Sequence, residues 1–324
     1  MIGLGQVGTR FDEEPRPGVW SHAGAYLANG ERFTLVGGAD IDAGNRDRFA
    51  ARCPDAGVYA APREMVERLR PDVLSLCTPP EGRADLVGEL LAVHRPRVLI
   101  CEKPLERKAA DRQRLVDSCA EAGVPLLVNY NRRYASIYRK VRDEVAGGRL
   151  GGVTSITVTA PNRLWSIGSH AVNLLLFFAG GAPVEFRILP LPDLDEGGEP
   201  AADFLCRFAS GAAGRVITAG FCDMLLFEVE IVGRDGRIRI QGNGAVATFT
   251  PLENSPQFLN YRVPGEESVL FRSPATESTF ETLVNEAADI VDGVGEASST
   301  GADALSSEAI LDEMARECMK GNPK

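Results

Sequence analysis

The first 130 residues alternate short apolar, β-branched runs with stretches of helical periodicity, and few folds accept that alternation. The candidate strands are residues 33–39, 72–77, 97–101 and 124–129, with helical patterns at 43–53, 62–69, 83–93 and 108–122 between them. Strands that are apolar along their whole length need cover on both faces, which a parallel sheet flanked by helices provides. The pattern therefore predicts a doubly wound α/β unit. Gly123 stands just past the last of these helices, where glycine accepts positive φ without steric cost and stops the helix.

From about residue 150 the grammar changes. Residues 153–160, 204–209, 214–221, 227–233 and 237–241 read as strands joined by short turns, with Arg234-Asp235-Gly236 as a hairpin signal. Residues 190–200, rich in Pro, Gly and acid, read as a surface loop, and helical patterns at 276–292 and 304–320 close the chain. A chain of 324 residues is long for one core. The expected division is a dinucleotide-type domain over 1–128 and an α+β domain over 129–324, built on a largely antiparallel open sheet. One face of that sheet is expected to serve an active site or a partner subunit, giving a homodimer or homotetramer.

Composition removes several classes of function. A net charge of -10 argues against neutralising nucleic-acid phosphates. The seven cysteines form no C-x-x-C pair and show no zinc spacing with the three histidines, so no metal site is expected. Several lie in apolar runs as small hydrophobes, which suits a reducing compartment. No charged-then-apolar leader stands at the N-terminus, and the longest apolar run, residues 171–180, is half the ~20 a membrane span needs. The expectation is a cytoplasmic protein that does not engage a membrane.

At the head of the alternation stands Gly3-Leu4-Gly5-Gln6-Val7-Gly8, a G-x-G-x-x-G turn. In such a turn the first glycine allows the tight bend, the second lets backbone approach a pyrophosphate, and the third lets helix and strand pack closely. Asp40 ends the second strand pattern, where an acid accepts hydrogen bonds from the adenosine ribose and repels a 2′-phosphate, favouring NAD over NADP. Two departures stand out. Gly8 and Asp40 lie 32 positions apart where ~20 is usual, which predicts an insertion around residues 11–21, placed to act as a lid. Only Met1 and Ile2 precede Gly3, too few for a central strand of about five residues, so the strand is expected to start upstream.

Cys77-Thr78-Pro79-Pro80 ends one strand and Cys101-Glu102-Lys103-Pro104 the next, both at carboxyl ends where such sheets bind ligands. With the glycine turn, and with Asn131-Arg132-Arg133-Tyr134 and Glu230-Ile231-Val232-Gly233-Arg234-Asp235-Gly236 downstream, the chain resembles the Gfo/Idh/MocA oxidoreductase family over nearly its whole length. The resemblance implies that Thr78, Pro79, Pro80, Glu102 and Lys103 join the glycine turn in holding the cofactor. It also implies that Lys103 is catalytic, stabilising an alkoxide as hydride leaves carbon. The family's second motif, D-x-G-x-H-x-x-D, reads here Ser166-Ile167-Gly168-Ser169-His170-Ala171-Val172-Asn173, keeping the glycine and histidine and losing both acids. His170 is the implied proton acceptor, with a helix-capping or core histidine as the alternative. Ser166 and Asn173 are expected at the substrate. Trp165 suits either stacking on a sugar ring or a core place. Tyr130, Arg132 and Arg133 are candidate pocket residues, an arginine suiting a carboxylated or phosphorylated substrate.

The leading reading is an NAD-dependent oxidoreductase exchanging hydride between nicotinamide and a ring carbon of a sugar or sugar derivative. A cofactor-binding regulatory protein of weak or absent activity is the rival, favoured by loss of the two acids. A reductase of a non-sugar carbonyl or imine is the third.

Overall fold

A computed structural model describes residues 1–13, 17–161, 163–191, 199–220 and 226–321. The chain divides into two units: Met1–Tyr134 with Ala275–Leu305, and Ala135–Pro274 with Ser306–Lys324. The first boundary falls at Tyr134 rather than residue 128, and the later chain returns to the first unit. The cause is local: Val128 N–H donates to the Ser299 carbonyl at 2.9 Å, and the Arg133 guanidinium pairs with Asp303 at 3.0 Å.

The first unit runs α1 (His22–Ala28), β1 (Gly37–Ala39), α2 (Ala43–Arg52), β2 (Gly57–Tyr59), α3 (Pro62–Leu69), β3 (Val73–Leu76), α4 (Arg83–Val93), β4 (Val98–Cys101), α5 (Ala109–Ala122) and β5 (Leu126–Val128). Strands β1 and β2 pair parallel, as do β3, β4 and β5. Ile2 joins the two groups through parallel bridges to Ala39 and Leu76. Its N–H reaches the Ser75 carbonyl and its carbonyl takes the Cys77 N–H, while Gly3 N–H and the Met1 carbonyl pair with Ala39 on the other side. Met1, Ile2 and Gly3 thus lie in the sheet between β1 and β3. Wholly buried runs such as β4 confirm a two-sided sheet. Gly123 caps α5 with φ 68°. The helix Thr279–Val291 packs Phe280, Leu283, Val284 and Ala287 into the core around Leu4, Phe49 and Ile100.

The second unit contains α6 (Ser136–Ala146), β6 (Val153–Ala160), α7 (Ser169–Ala179), β7 (Glu185–Pro190), β8 (Ala202–Arg207), β9 (Ala213–Thr218), β10 (Glu228–Gly233), β11 (Gly236–Gln241), β12 (Val246–Asn254), β13 (Arg262–Pro264) and β14 (Ser268–Arg272). They form one sheet ordered β13-β12-β11-β10-β6-β9-β8-β7, with β14 also on β12. Every pair is antiparallel except β6 with β9. Alternate residues of β6, β10 and β11 are buried, so one face carries the core and α7 covers it. The loop expected at 190–200 lies outside the described residues over 192–198, and strand pattern 214–221 does so at its last residue. No helix among the described residues is long and apolar enough to cross a membrane.

Candidate active site

The glycine turn sits where the first strand leaves the sheet. Gly3 has φ 84°, and a Cβ there would lie 2.7 Å from the Cys77 carbonyl carbon; on Gly8 it would lie 2.3 Å from the Gly3 carbonyl oxygen. Both positions exclude side chains. At Gly5 a Cβ would meet nothing within 4 Å, so the backbone there faces open space. Asp40 stands beside the turn, its Oδ2 accepting from Leu4 N–H at 2.7 Å and its Oδ1 from Asp42 N–H at 2.8 Å.

The insertion reads directly from the hydrogen bonds. His22 N–H donates to the Val7 carbonyl and Ala23 N–H to the Gly8 carbonyl, a jump of fifteen positions where an unbroken helix has four. Eleven residues therefore loop out of the helix that follows the turn, and without them Gly8 and Asp40 stand 21 apart. Asp12 ties the excursion down: it accepts from Trp20 N–H at 2.6 Å, from the Ser21 hydroxyl and from Arg52 Nη2 at 2.7 Å. Burial opposes its ionisation, but the Ser21, Arg52 and Trp20 hydrogen bonds outweigh that and hold its carboxyl below the usual range. Residues 14–16 of the expected lid lie outside the described residues.

The next two motifs follow on neighbouring strands. Leu76 of β3 pairs with Cys101 of β4, which sets Thr78-Pro79-Pro80 beside Glu102-Lys103-Pro104 at one carboxyl edge of the sheet. Arg83, 2% exposed at the start of α4, joins them. Its guanidinium donates to the Thr78, Glu102 and Pro104 carbonyls and so brackets Lys103 on both sides. The Glu102 carboxylate is buried and accepts from His22 Nε2 at 2.9 Å and Asn129 Nδ2 at 2.6 Å. Burial alone would discharge both members of this pair. Cys77 and Glu102 nonetheless raise His22 to about 10, and the hydrogen bond from His22, with Asn129 and Arg83, holds Glu102 below the usual carboxylate value. Two observations fit a dinucleotide here: the open space at Gly5, and the buried Thr78 hydroxyl, which has no partner among the described residues. A cavity of about 560 Å³ lies elsewhere in this unit, at the sheet's opposite edge beside Met1, Gly37 and Val73, and none of the candidate residues line it.

Of the remaining first-unit candidates, Arg132 is partly exposed, whereas Tyr130 and Arg133 face inward. Tyr130 is 1% exposed in the core around Leu105 and Val128. Arg133 is buried, held by Asp303 and the Ser298 carbonyl, a structural use of the guanidinium that the sequence pattern did not suggest.

In the second unit Leu164–Gly168 forms a single π-type turn that runs into α7, carrying Trp165, Ser166, His170 and Asn173. His170 and Asn173 are both buried. Asn173 Nδ2 donates to the Ser307 hydroxyl at 3.2 Å. Glu199 accepts from the N–H groups of Trp165 and Ser166, at 2.9 and 3.1 Å, and from the Ser166 hydroxyl at 3.3 Å. Sequence reasoning missed Arg83, His22, Asn129 and Glu199. The first three sit in ordinary helix or strand-end positions, and Glu199 is 33 residues from Ser166, so spacing carried no signal.

A parallel-sheet unit with a glycine turn defines the doubly wound dinucleotide-binding class of fold, here joined to a unit with an open, largely antiparallel sheet. Residues 1–130 match the GFO_IDH_MocA family model, described as an oxidoreductase family with an NAD-binding Rossmann fold. D-glucoside 3-dehydrogenase of Escherichia coli is 26% identical over 163 residues, covering 50% of this chain and 43% of that protein. Inositol 2-dehydrogenase of Gluconacetobacter diazotrophicus is 34% identical over 173 residues, 52% of this chain and 48% of that protein. The chain spans about half the length of the curated relatives it matches. The fold is shared more widely: the WlbA dehydrogenase of Bordetella pertussis, solved with NADH and UDP-GlcNAcA, superposes with TM-score 0.74 at 19% identity over 99% of this chain and 96% of that one.

Proposed function

We propose that the protein is an NAD-dependent oxidoreductase that transfers a hydride between nicotinamide and a ring carbon of a sugar or sugar derivative. The observation that carries this reading is the alignment of the glycine turn, Thr78-Pro79-Pro80 and Glu102-Lys103-Pro104 along one carboxyl edge of the parallel sheet. The named activities of the relatives, on glucosides and inositol, support a polyol or sugar substrate.

Gly5, the Thr78 hydroxyl and Asp40 hold the cofactor in this reading, and NAD, when bound, supplies the hydride acceptor. Lys103 stabilises the developing alkoxide as an ammonium, with its backbone fixed on both sides by Arg83. His170 takes the proton. The open sheet serves self-association as a homodimer or homotetramer, supported by Phe186 and Leu189, which are 43% and 50% exposed on β7.

The test is NADH fluorescence titration followed by a turnover screen of sugars, sugar acids and nucleotide sugars. Saturable NADH binding with turnover of at least one such compound is expected. Absence of binding to NAD(H) and NADP(H) alike sinks the reading. Binding without turnover transfers it to the regulatory alternative.

A further inference from the structure

The helical stretch Leu164–Ala179 carries no charged side chain, and His170 is its one titratable group. Its first turn is also conformationally demanding. Arg163, which precedes it, has φ 96°, a region that side chains beyond glycine rarely adopt, and its carbonyl takes the N–H groups of both Ile167 and Gly168. A strained turn persists only where its surroundings fix it. Glu199 does so here with three hydrogen bonds, two to backbone N–H groups and one to the Ser166 hydroxyl.

The place of that carboxylate matters more than the number of its bonds. It grips Ser166, four residues before His170, and side chains so spaced on a helical path lie about 5–6 Å apart at Cβ. Several other charges on elements packed against α7 are placed differently; on α6, Lys140 lies over the Phe271 ring and Glu144 pairs with Arg149. Strand β6 has none, Arg215 of β9 is exposed, and Arg142 of α6 lies over the Phe177 ring at 4.4 Å, two turns beyond His170. Glu308, buried on the C-terminal helix, neighbours Ser307, which binds Asn173 three residues past His170.

We propose that Glu199 is a positioning residue for His170: it fixes the turn that presents the imidazole and supplies the negative charge that this stretch of sequence lacks. The carboxylate stands at Ser166, so a charge missing from the local sequence is restored from a residue 33 positions away. The proposal rests on the reading of His170 as proton acceptor, and its test does not depend on finding the substrate.

The test is an NMR titration of the three histidines on the full chain, with His170 assigned from His170→Asn. Glu199→Gln keeps an acceptor oxygen for the backbone N–H groups and removes only the charge. The His170 midpoint is expected to fall by roughly 1 pH unit in Glu199→Gln, because a nearby carboxylate favours the imidazolium. Ser166→Asp in the Glu199→Gln background is expected to restore it. An unmoved midpoint in Glu199→Gln, or a Glu308→Gln variant that shifts it as far, overturns the proposal. If the shift appears and no sugar is turned over, the catalytic reading fails and the positioning role stands.

Discussion

The two candidate sites are built in opposite ways. In the first unit the chemistry sits at consecutive strand ends, so chain order and spatial order coincide. The glycine turn, Thr78 and Lys103 arrive side by side because parallel strands repeat the same edge. There the charges are buried and interlocked: His22, Glu102, Asn129 and Arg83 form one connected set. In the second unit the segment bearing His170 is apolar, and polar contacts reach it from Glu199 and Ser307, far away in sequence. The lesson is that a strand-end site carries its own scaffold, whereas a helix-start site borrows one.

The largest effect on this contrast is expected at Lys103. Lys103→Ala should lower turnover by about a thousandfold, within the range of general acid–base and oxyanion groups, while leaving NADH affinity within a few-fold. Normal turnover in steady-state assays would break the assignment. Next comes the buried pair. Glu102→Ala leaves His22 buried without its carboxylate and should cost about 3–5 kcal/mol in chemical denaturation. A cost near that of an exposed pair, below about 1 kcal/mol, would show that the set is not interlocked.

The same pair predicts a pH signature. His22 is raised from 6.5 to about 10, so its contribution is complete below pH 6.5 and is lost as pH climbs through about 10. Glu102 is lowered from 4.5, so its contribution is present above that value and is lost on further acidification. Melting temperature against pH should therefore fall at both ends, and His22→Asn should flatten the alkaline limb. An unchanged alkaline limb in that variant would contradict the pairing.

Smaller effects separate the glycines. Gly3→Ala forces a Cβ into the Cys77 backbone at positive φ and should destabilise the fold by about 1–3 kcal/mol. Gly5→Ala should leave the melting temperature nearly unchanged and weaken NADH binding instead, since its Cβ enters only the open space. Equal losses of stability in the two variants would remove the argument for a cradle at Gly5. The smallest effect belongs to the insertion. Asp12→Asn should cost about 1 kcal/mol, because the Arg52 pair is only partly buried, and should alter Trp20 fluorescence.

What the sequence made legible follows the same division. The four helices read between the strands of the first unit agreed to within a residue, because apolar periodicity and caps are local: residues 43–53 became Ala43–Arg52, and 83–93 became Arg83–Val93. The strand read at 33–39 shrank to Gly37–Ala39, since only those residues find partners. Strand β2, helix α6, and strands β7 and β12–β14 went unread. Their patterns are short or mixed, and pairing rather than composition defines them.

By itself the sequence determined the parallel unit, the glycine turn with its acid, and the order of the strand-end motifs, because each depends on residues close together in the chain. Only the tertiary structure decided how the eleven-residue loop leaves an otherwise continuous helix. It alone turned Arg133 inward to Asp303 and Arg83 across two loops. It also placed a carboxylate at Ser166, where the local sequence has none. The physical reason is that hydrogen bonds and buried charges are satisfied by whichever groups folding brings together, however far apart they lie in the chain.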